Sequence, residues 1–365
     1  MKISPITKRN ITRIIPFGII WLVLGCLFLW VEHAAIGNQS NTLDTAIKLD
    51  PQVLFFALIG VTIIGLAVGF VELLFLKRLF QKKSLSAKII SKFLIYIFFF
   101  VLIILITYPI AASMELDTSI FDSRVWDKFN TFFFSITALS TIIQLGFSLF
   151  VSLLYSEISE NLGHNVLLNF FTGKYHKPVS ETRIFMFADM KASTTIAEKL
   201  GHIKYFELLS SYYYDLSRAI VKNYGEVYQY IGDEIVISWK YKNGIKNNNS
   251  INCYFDMKLD LNKKRDSYMS KYGFFPDFKA ALHFGEVTTG EIGALKKEIF
   301  FTGDVLNTTA RIQGLCGYLG SDFLISKQLI DSLNLDDKYV TTLHGKSKLK
   351  GKSEDIELIS LEVKK

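Results

Sequence analysis

Long apolar stretches separated by short polar ones fill the first 156 residues of this 365-residue chain. Four of these stretches carry at most one ionisable side chain each, and they cover residues 14–31, 51–76, 93–114 and 129–156. A helix of about 20 apolar residues crosses the roughly 30 Å hydrocarbon layer of a bilayer. The pattern therefore predicts a transmembrane domain over residues 1–156. We expect its helices at about 14–31, 53–76, 93–114 and 131–155.

The pattern changes after this domain, where charged residues recur every few positions and apolar runs are short. Residues 157–180 predict a connector, with a polar helix from Ser156 to about Leu168 and a stop at Pro178. The connector either transmits a signal from the membrane part or is a passive amphipathic linker on the bilayer. Residues 181–365 mix strand-like alternation with helical periodicity, which predicts a separate α+β domain.

Composition supports a membrane protein. Half of the residues are apolar and 21% are charged, whereas in a typical soluble domain about 25% of all residues are charged. The low Gly, Pro and Cys counts (23, 6 and 3) exclude disordered, collagen-like and disulfide-rich classes. The three cysteines, Cys26, Cys253 and Cys316, are far apart, which argues against a disulfide framework or a cysteine metal site and favours a reducing compartment for the polar half.

The net charge of +7 is unevenly distributed. Residues 156–365 hold 28 Lys and Arg against 26 Asp and Glu, whereas residues 1–155 hold 13 against 8. Nucleic-acid binding requires basic residues clustered on the binding domain. We therefore expect no nucleic-acid partner, and the basic excess bears instead on membrane topology.

Basic residues concentrate on one side of the predicted membrane helices. The N-terminal segment and the loop over residues 77–92 hold ten of them, and the loops over 32–50 and 115–128 hold three. The positive-inside rule places both termini, the 77–92 loop and the polar half in the cytoplasm. We expect a multi-pass protein of the cell (plasma or inner) membrane, in contact with the lipid bilayer. The alternative is a cleaved signal peptide over residues 1–36, which would leave three helices.

One carboxylate interrupts the second apolar stretch. Glu72 is either a relay or ligand site, as ionisable groups in membranes often are, or it snorkels toward Lys77 or Arg78. We expect snorkelling, because the residue lies near the end of the stretch.

Two aspartates follow predicted strands in the polar half. Asp189 ends the buried strand RIFMFAD, and Asp233 lies at or beside the tip of a hairpin formed by GEVYQY and EIVISW. Adjacent strands would bring both carboxylates to one edge, and Mg²⁺ is held by one or two carboxylates together with substrate phosphates. The segment from Met190 to Thr195 then starts a helix, whose free N–H groups and positive dipole end favour phosphate binding.

Two further motifs carry polar groups suited to a nucleotide. The sequence GDVLNTTARIQ at 303–313 predicts a helix with Asp304 as N-cap. Asn307 and Arg311 are four residues apart, so this helix presents them on one face. Lys350, which precedes Gly351 at the start of a final hairpin, is a candidate phosphate contact.

Together these motifs resemble the catalytic domain of class III nucleotidyl cyclases, the adenylate and guanylate cyclases, over about residues 180–363. The resemblance implies a ferredoxin-like domain within an α+β protein, and a homodimer with two Mg²⁺ or Mn²⁺ ions per site. It implies that Asp189 and Asp233 of one protomer bind the metals, while Asn307 of the other orients the ribose and Arg311 stabilises the transition state. The substrate-binding residues that it implies are Met190, Ala192, Ser193, Thr194, Gln229, Phe300 and Lys350.

The chain departs from the family pattern at three places. Gln229 stands where adenylate cyclases have Lys and guanylate cyclases have Glu, and Phe300 stands where adenylate cyclases often have Asp or Thr. Thr302 would substitute for Phe300 only after a shift in strand register. Lys191-Ala192 replaces the usual Gly before Ser-Thr, and Lys191 either contacts phosphate or is solvated.

The resemblance implies a membrane-bound adenylate cyclase, which converts ATP to cyclic AMP and pyrophosphate by in-line attack of the ribose 3′-hydroxyl. A guanylate cyclase is the alternative, because a Gln amide pairs with either purine. A catalytically inactive, nucleotide-binding receptor component is a third hypothesis. A transporter is disfavoured, because the apolar stretches hold almost no charge to mark a transport pathway.

Overall fold

The chain forms two compact units. The computed structural model describes residues 4–36, 51–76, 79, 84–349 and 355–364. One unit covers Thr7–Leu168, and the other comprises mainly the residues from Asn169 onward. Each unit has its own buried apolar core.

The first unit is a bundle of helices. Four of its segments are long and apolar enough to cross a membrane, Pro5–Val31, Pro51–Leu76, Ser86–Glu115 and Ile136–Leu162, which confirms the four predicted apolar helices. The helices are α1 (Pro5–Ile36), α2 (Pro51–Val71, continued by a π-helical turn over Glu72–Leu76), α3 (Leu85–Glu115), α4 (Ser123–Phe133) and α5 (Ile136–Leu162).

The last of these helices begins later than the hydrophobic pattern predicts. The expected start near residue 131 is wrong, because α4 ends at Phe133 and α5 begins only after Ser135. The Ser135 hydroxyl accepts a hydrogen bond from the Ala138 N–H at 3.3 Å, so this serine caps the new helix. The flanking phenylalanines conceal the break in the hydrophobic pattern.

Aromatic side chains of α1 pack directly on glycines of α2. A Cβ added at Gly65 would lie 2.6 Å from the Trp21 ring, and one at Gly69 would lie 2.8 Å from the Phe17 ring. The Trp21 indole N–H donates to the Ser152 hydroxyl of α5 at 2.9 Å. Small residues allow membrane helices to approach closely, so these contacts join α1, α2 and α5.

Glu72 does not snorkel as predicted. Its side chain is only 2% exposed, and it forms an ion pair with Lys92 of α3. The Lys92 ammonium is also 3.6 Å from the carboxylate of Glu157 in α5. Glu157 forms a second ion pair with Lys88, at 3.2 Å. The expected partners Lys77 and Arg78 lie outside the described residues.

The second unit mixes helices and strands, as predicted. The polar helix of the connector is interrupted at Gly163, whose φ is +87°, and continues as α6. Helix α6 (His164–Thr172) crosses the boundary between the units at Leu168. The helices after it are α7 (Ser193–Leu200), α8 (His202–Lys222), α9 (Tyr241–Ile245), α10 (Asn249–Asn262), α11 (Arg265–Tyr272), α12 (Asp304–Gly314) and α13 (Lys327–Ile330). The strands are β1 (Val179–Met190), β2 (Glu226–Ile231), β3 (Glu234–Lys240), β4 (Phe278–Ile292), β5 (Glu298–Thr302), β6 (Phe323–Ser326), β7 (Tyr339–Ser347) and β8 (Ile356–Val363).

The sheet has the strand order β2-β3-β1-β4-β6-β8-β7, and β5 pairs with β4. Its first four strands alternate with α8 and α10 in a β-α-β-β-α-β sequence, which is the ferredoxin-like arrangement. β1 is antiparallel to both β3 and β4, and β4 is parallel to β6.

The two faces of β1 have different roles. Ile184, Met186 and Ala188 point into the main core with residues of α8 and α10. Phe185 and Phe187 point to the other face, where they pack with Val305 of α12. Because side chains alternate along a strand, Asp189 continues this second face.

Candidate active site

The two predicted aspartates lie together at one edge of the sheet. Asp189 is opposite Glu234 in the β1–β3 pairing, and Asp233 belongs to the two-residue turn that joins β2 to β3. Gly232 in this turn has φ +63°, a conformation that glycine adopts without a steric penalty. The two carboxylates are close enough for Asp233 to raise the pKa of Asp189.

The site concentrates negative charge in a half-buried position. Burial raises the pKa of Asp189 above its ordinary value, and the hydrogen bond and charge of Asp233 raise it further. Burial, together with the charges of both aspartates, also raises the pKa of Glu234 to about 7. Carboxylates that repel one another in this way gain stability from bound cations.

Two residues that the sequence did not identify contact Asp189. The Lys279 ammonium of β4 lies 3.5 Å from its Oδ2 atom, and the Gln313 amide of α12 donates to the same oxygen at 3.2 Å. Lys279 is opposite Asp189 in the β1–β4 pairing, so both side chains occupy one face. Neither residue could be identified from the local sequence, because both contacts form only when β4 and α12 pack against β1.

Asp189 and Asp233 suit a hard divalent cation. Oxygen donors are the ligands that Mg²⁺ and Mn²⁺ prefer, and Mg²⁺ keeps few protein ligands. Over the described ranges, no group of three or more His, Cys, Asp or Glu side chains is arranged to hold a metal ion. A Mg²⁺ ion commonly keeps one or two protein carboxylates and takes its other ligands from water and substrate phosphates, and the Asp189–Asp233 pair suits that mode of binding.

The segment after β1 forms a tight loop before α7. The Met190 side chain is buried in the core, so only the backbone of this residue is placed to contact a substrate. Ala192 has φ +53°, and Ser193 begins α7. Ser193 is half-buried and Thr194 is exposed, which leaves the N–H groups of this first turn available to an anion. Lys191 is partly exposed, and its ammonium group pairs with Asp277 and Asp322.

Helix α12 presents different residues on its two sides. Val305, Ile312 and Gln313 are buried against the sheet, whereas Asn307 is exposed and Arg311 is half-exposed. At about 100° per residue, Asn307 and Arg311 share the outer side, as predicted. Among the described residues, neither side chain makes a hydrogen bond or ion pair. The predicted cap is wrong by one position, because Gly303 is the N-cap and Asp304 is the first helical residue.

The residues expected to read the base lie on two strands that touch. Gln229 is exposed and pairs with Val236 next to a β-bulge at Tyr228. The Tyr228 hydroxyl accepts a hydrogen bond from the Phe301 N–H at 3.3 Å, which links β2 to β5. Phe300 is 44% exposed and offers no polar group. Lys350 lies outside the described residues.

The profile of the adenylate and guanylate cyclase catalytic domain matches residues 175–361, half of the chain. The chain belongs to this cyclase family. "Adenylate cyclase 2" of Rhizobium meliloti (strain 1021) is 34% identical over 205 residues, which is 56% of each protein. "Adenylate cyclase" of Anabaena cylindrica is 27% identical over 179 residues, 47% of this chain and 35% of the relative.

These similarities concern part of each relative. The cyclase matches about half the length of the first relative and about a third of the second. A solved bacterial light-regulated adenylyl cyclase aligns with a TM-score of 0.51 at 19% identity, covering 60% of this chain and 64% of that one. At this identity the alignment supports the fold of the cyclase domain.

Proposed function

We propose that the chain is a membrane-bound adenylate cyclase that converts ATP to cyclic AMP and pyrophosphate as a homodimer. The observation that carries this proposal is the convergence of Asp189 and Asp233 beside the N-terminus of α7, where free N–H groups favour an anion. Two relatives that are named adenylate cyclases support ATP as the substrate.

The metal and phosphate end of the site would be built from one protomer. Asp189 and Asp233 would hold two Mg²⁺ or Mn²⁺ ions, and the N–H groups at Ser193 and Thr194 would bind phosphate oxygens. Lys279 would neutralise phosphate charge, since it lies on the same face as Asp189. The bound cations would lower the pKa of the ribose 3′-hydroxyl and neutralise charge on the triphosphate.

The ribose end of the site would come from the partner protomer. Gln313, on the inner side of α12, contacts Asp189 of its own chain, whereas Asn307 and Arg311 are on the outer side. A two-fold axis would bring these outer residues to the partner's acidic pair and create two equivalent sites. There, Asn307 would orient the ribose and Arg311 would stabilise the charge on the phosphoryl group during transfer.

The base would be read by Gln229 and Phe300. A Gln amide both donates and accepts hydrogen bonds, so it pairs with the edge of adenine or of guanine. Phe300 adds only an apolar surface. A guanylate cyclase is therefore the second candidate for this site.

The catalytic domain would lie in the cytoplasm, where ATP is available. Both termini and the 77–92 loop would share this side, as the distribution of basic residues predicts. Because the four apolar helices would anchor the enzyme in the plasma or inner membrane, the product would be released at that surface.

Purified full-length protein, assayed with ATP, GTP, CTP or UTP and with Mg²⁺ or Mn²⁺, tests the proposal. We expect cyclic AMP from ATP and loss of activity with a chelator. Faster turnover of GTP would favour the guanylate cyclase, and no cyclic product from any nucleotide would contradict cyclase activity.

A further inference from the structure

Four charged side chains form a network that includes the first residue of the loop after β1. We call Lys191, Lys258, Asp277 and Asp322 the lysine–aspartate network. The Lys191 ammonium is 2.9 Å from Asp277 and 2.5 Å from Asp322. Lys258 is 2.5 Å from Asp277 and 3.6 Å from Asp322. Each lysine therefore contacts both carboxylates, and charges of opposite sign alternate around the group.

The sheet topology explains why these residues meet. β1 is antiparallel to β4, so its last residue, Met190, pairs with Phe278, the first residue of β4. β6 is parallel to β4 and begins at the same edge. Asp277 and Asp322 directly precede these two strands, and Lys191 directly follows the last residue of β1. All three residues therefore lie at the same edge of the sheet.

The network constrains a loop whose conformation is locally unfavourable. Ala192 has a left-handed backbone at φ +53°, which an alanine Cβ disfavours and a glycine tolerates. The neighbouring Lys191 is fixed twice, since its N–H also donates to the Asp277 carbonyl at 2.8 Å. Strained backbone persists where surrounding contacts determine it, and here those contacts come from the two aspartates.

We propose that Lys191 is a positioning residue, which holds the loop over 190–194 in its phosphate-binding conformation through Asp277 and Asp322. Its ammonium group pairs with both carboxylates, so the role proposed for Lys191 is to hold the loop rather than to bind the substrate directly. The family's usual glycine before Ser-Thr needs no such support, whereas the alanine of this chain does. The functional part of this proposal rests on the proposed cyclase activity.

Hydrogen exchange of the full-length, metal-free protein tests the positioning role without any activity measurement. The protected amides of the loop are those of Lys191 and Ile196, which donate to the carbonyls of Asp277 and Ala192. In Lys191→Met, we expect these two amides to exchange about tenfold faster, because the loop opens more often. Lys258→Met is the matched control, since it removes one positive charge from the same network but leaves Lys191 paired with both aspartates. We expect the loop amides of this control to exchange at the wild-type rate.

Kinetics of the same variants give the second measurement. Lys191→Met should raise both the half-saturating metal concentration and the KM for ATP about tenfold, since a displaced loop binds phosphate poorly. Lys191→Arg, which keeps two-pronged donation to the aspartates, should retain near-wild-type values. Asp322→Asn is the second variant, and it weakens the ion pair of Lys191 more than that of Lys258, because Lys191 is the closer of the two to Asp322. It should raise the half-saturating metal concentration and the KM for ATP by a smaller factor than Lys191→Met does.

The outcomes separate the two proposals. Equal loop exchange in Lys191→Met and Lys258→Met would show that the network only stabilises the fold, and it would overturn the positioning role. A wild-type protein without cyclase activity would contradict the proposed function, whereas faster loop exchange in Lys191→Met alone would still support the positioning role.

Discussion

The negative charges of Asp189 and Asp233 repel each other, and a bound metal ion would offset this repulsion. We expect Asp189→Asn and Asp233→Asn each to lower turnover roughly 10³-fold, since a lost metal contribution of several kcal/mol has that effect. Both variants should fold, and in a chelator each should unfold at a temperature at or above that of the wild type, because a repulsive charge is removed. Activity assays at saturating Mn²⁺ and thermal unfolding measure the two effects. A variant with substantial activity would exclude that aspartate as a metal ligand.

Gln229 is the residue on which base selectivity should depend. We expect Gln229→Lys to raise the ratio of ATP to GTP turnover and Gln229→Glu to lower it, because these side chains offer donors alone or acceptors alone to the purine. A change of about tenfold in each direction corresponds to one good hydrogen bond. The ratio of kcat/KM for the two nucleotides is the measurement. If both variants kept the wild-type ratio, Gln229 would not contact the base.

At the scale of elements, the ion pair between Glu72 and Lys92 joins α2 to α3 inside the helical unit. We expect Lys92→Met to lower the free energy of unfolding by about 3–5 kcal/mol, because it leaves a buried carboxylate without its partner. The double variant Glu72→Leu with Lys92→Met should recover most of this loss, and Glu157 keeps its ion pair with Lys88. Thermal unfolding in detergent gives the comparison. A double variant as unstable as the single one would mean that the pair does not act as a unit.

The elements could be predicted from the sequence wherever the signal is local. The apolar stretches, the strand before Asp189, the hairpin at Asp233 and the shared side of Asn307 and Arg311 all follow from periodicity or spacing. The contacts of Lys279 and Gln313 with Asp189 could not be predicted, since they depend on β4 and α12 packing against β1 from distant parts of the chain. The partner of Glu72 was missed for the same reason.

At the scale of the whole molecule, the orientation in the membrane is a prediction from charge. In a background without Cys26, Cys253 and Cys316, a cysteine at Ser119 should react with an impermeant thiol reagent in intact cells, and one at Ser84 should not. Ser84 is the N-cap of α3, and Ser119 lies in the segment that follows its last residue, Glu115. Lysed cells, in which both cysteines should react, are the control. Labelling only at Ser84 would place the catalytic domain outside.

The assembly of each site from two protomers is the central claim about the molecule. Asn307 and Arg311 face away from the sheet of their own chain, so an isolated protomer should be inactive. Asp189→Ala and Arg311→Ala chains should each be inactive alone, because each damages both sites of its homodimer. A heterodimer of the two has one intact site and one doubly damaged site.

Mixing these two inactive variants is therefore the most direct measurement. Differently tagged chains would be co-assembled at equal amounts, and co-purification would establish that heterodimers form. Random pairing makes half of the dimers mixed, so we expect cyclase activity to recover to about a quarter of the wild-type rate per chain. No recovery in verified heterodimers would contradict the account and would mean that each site is built within a single chain.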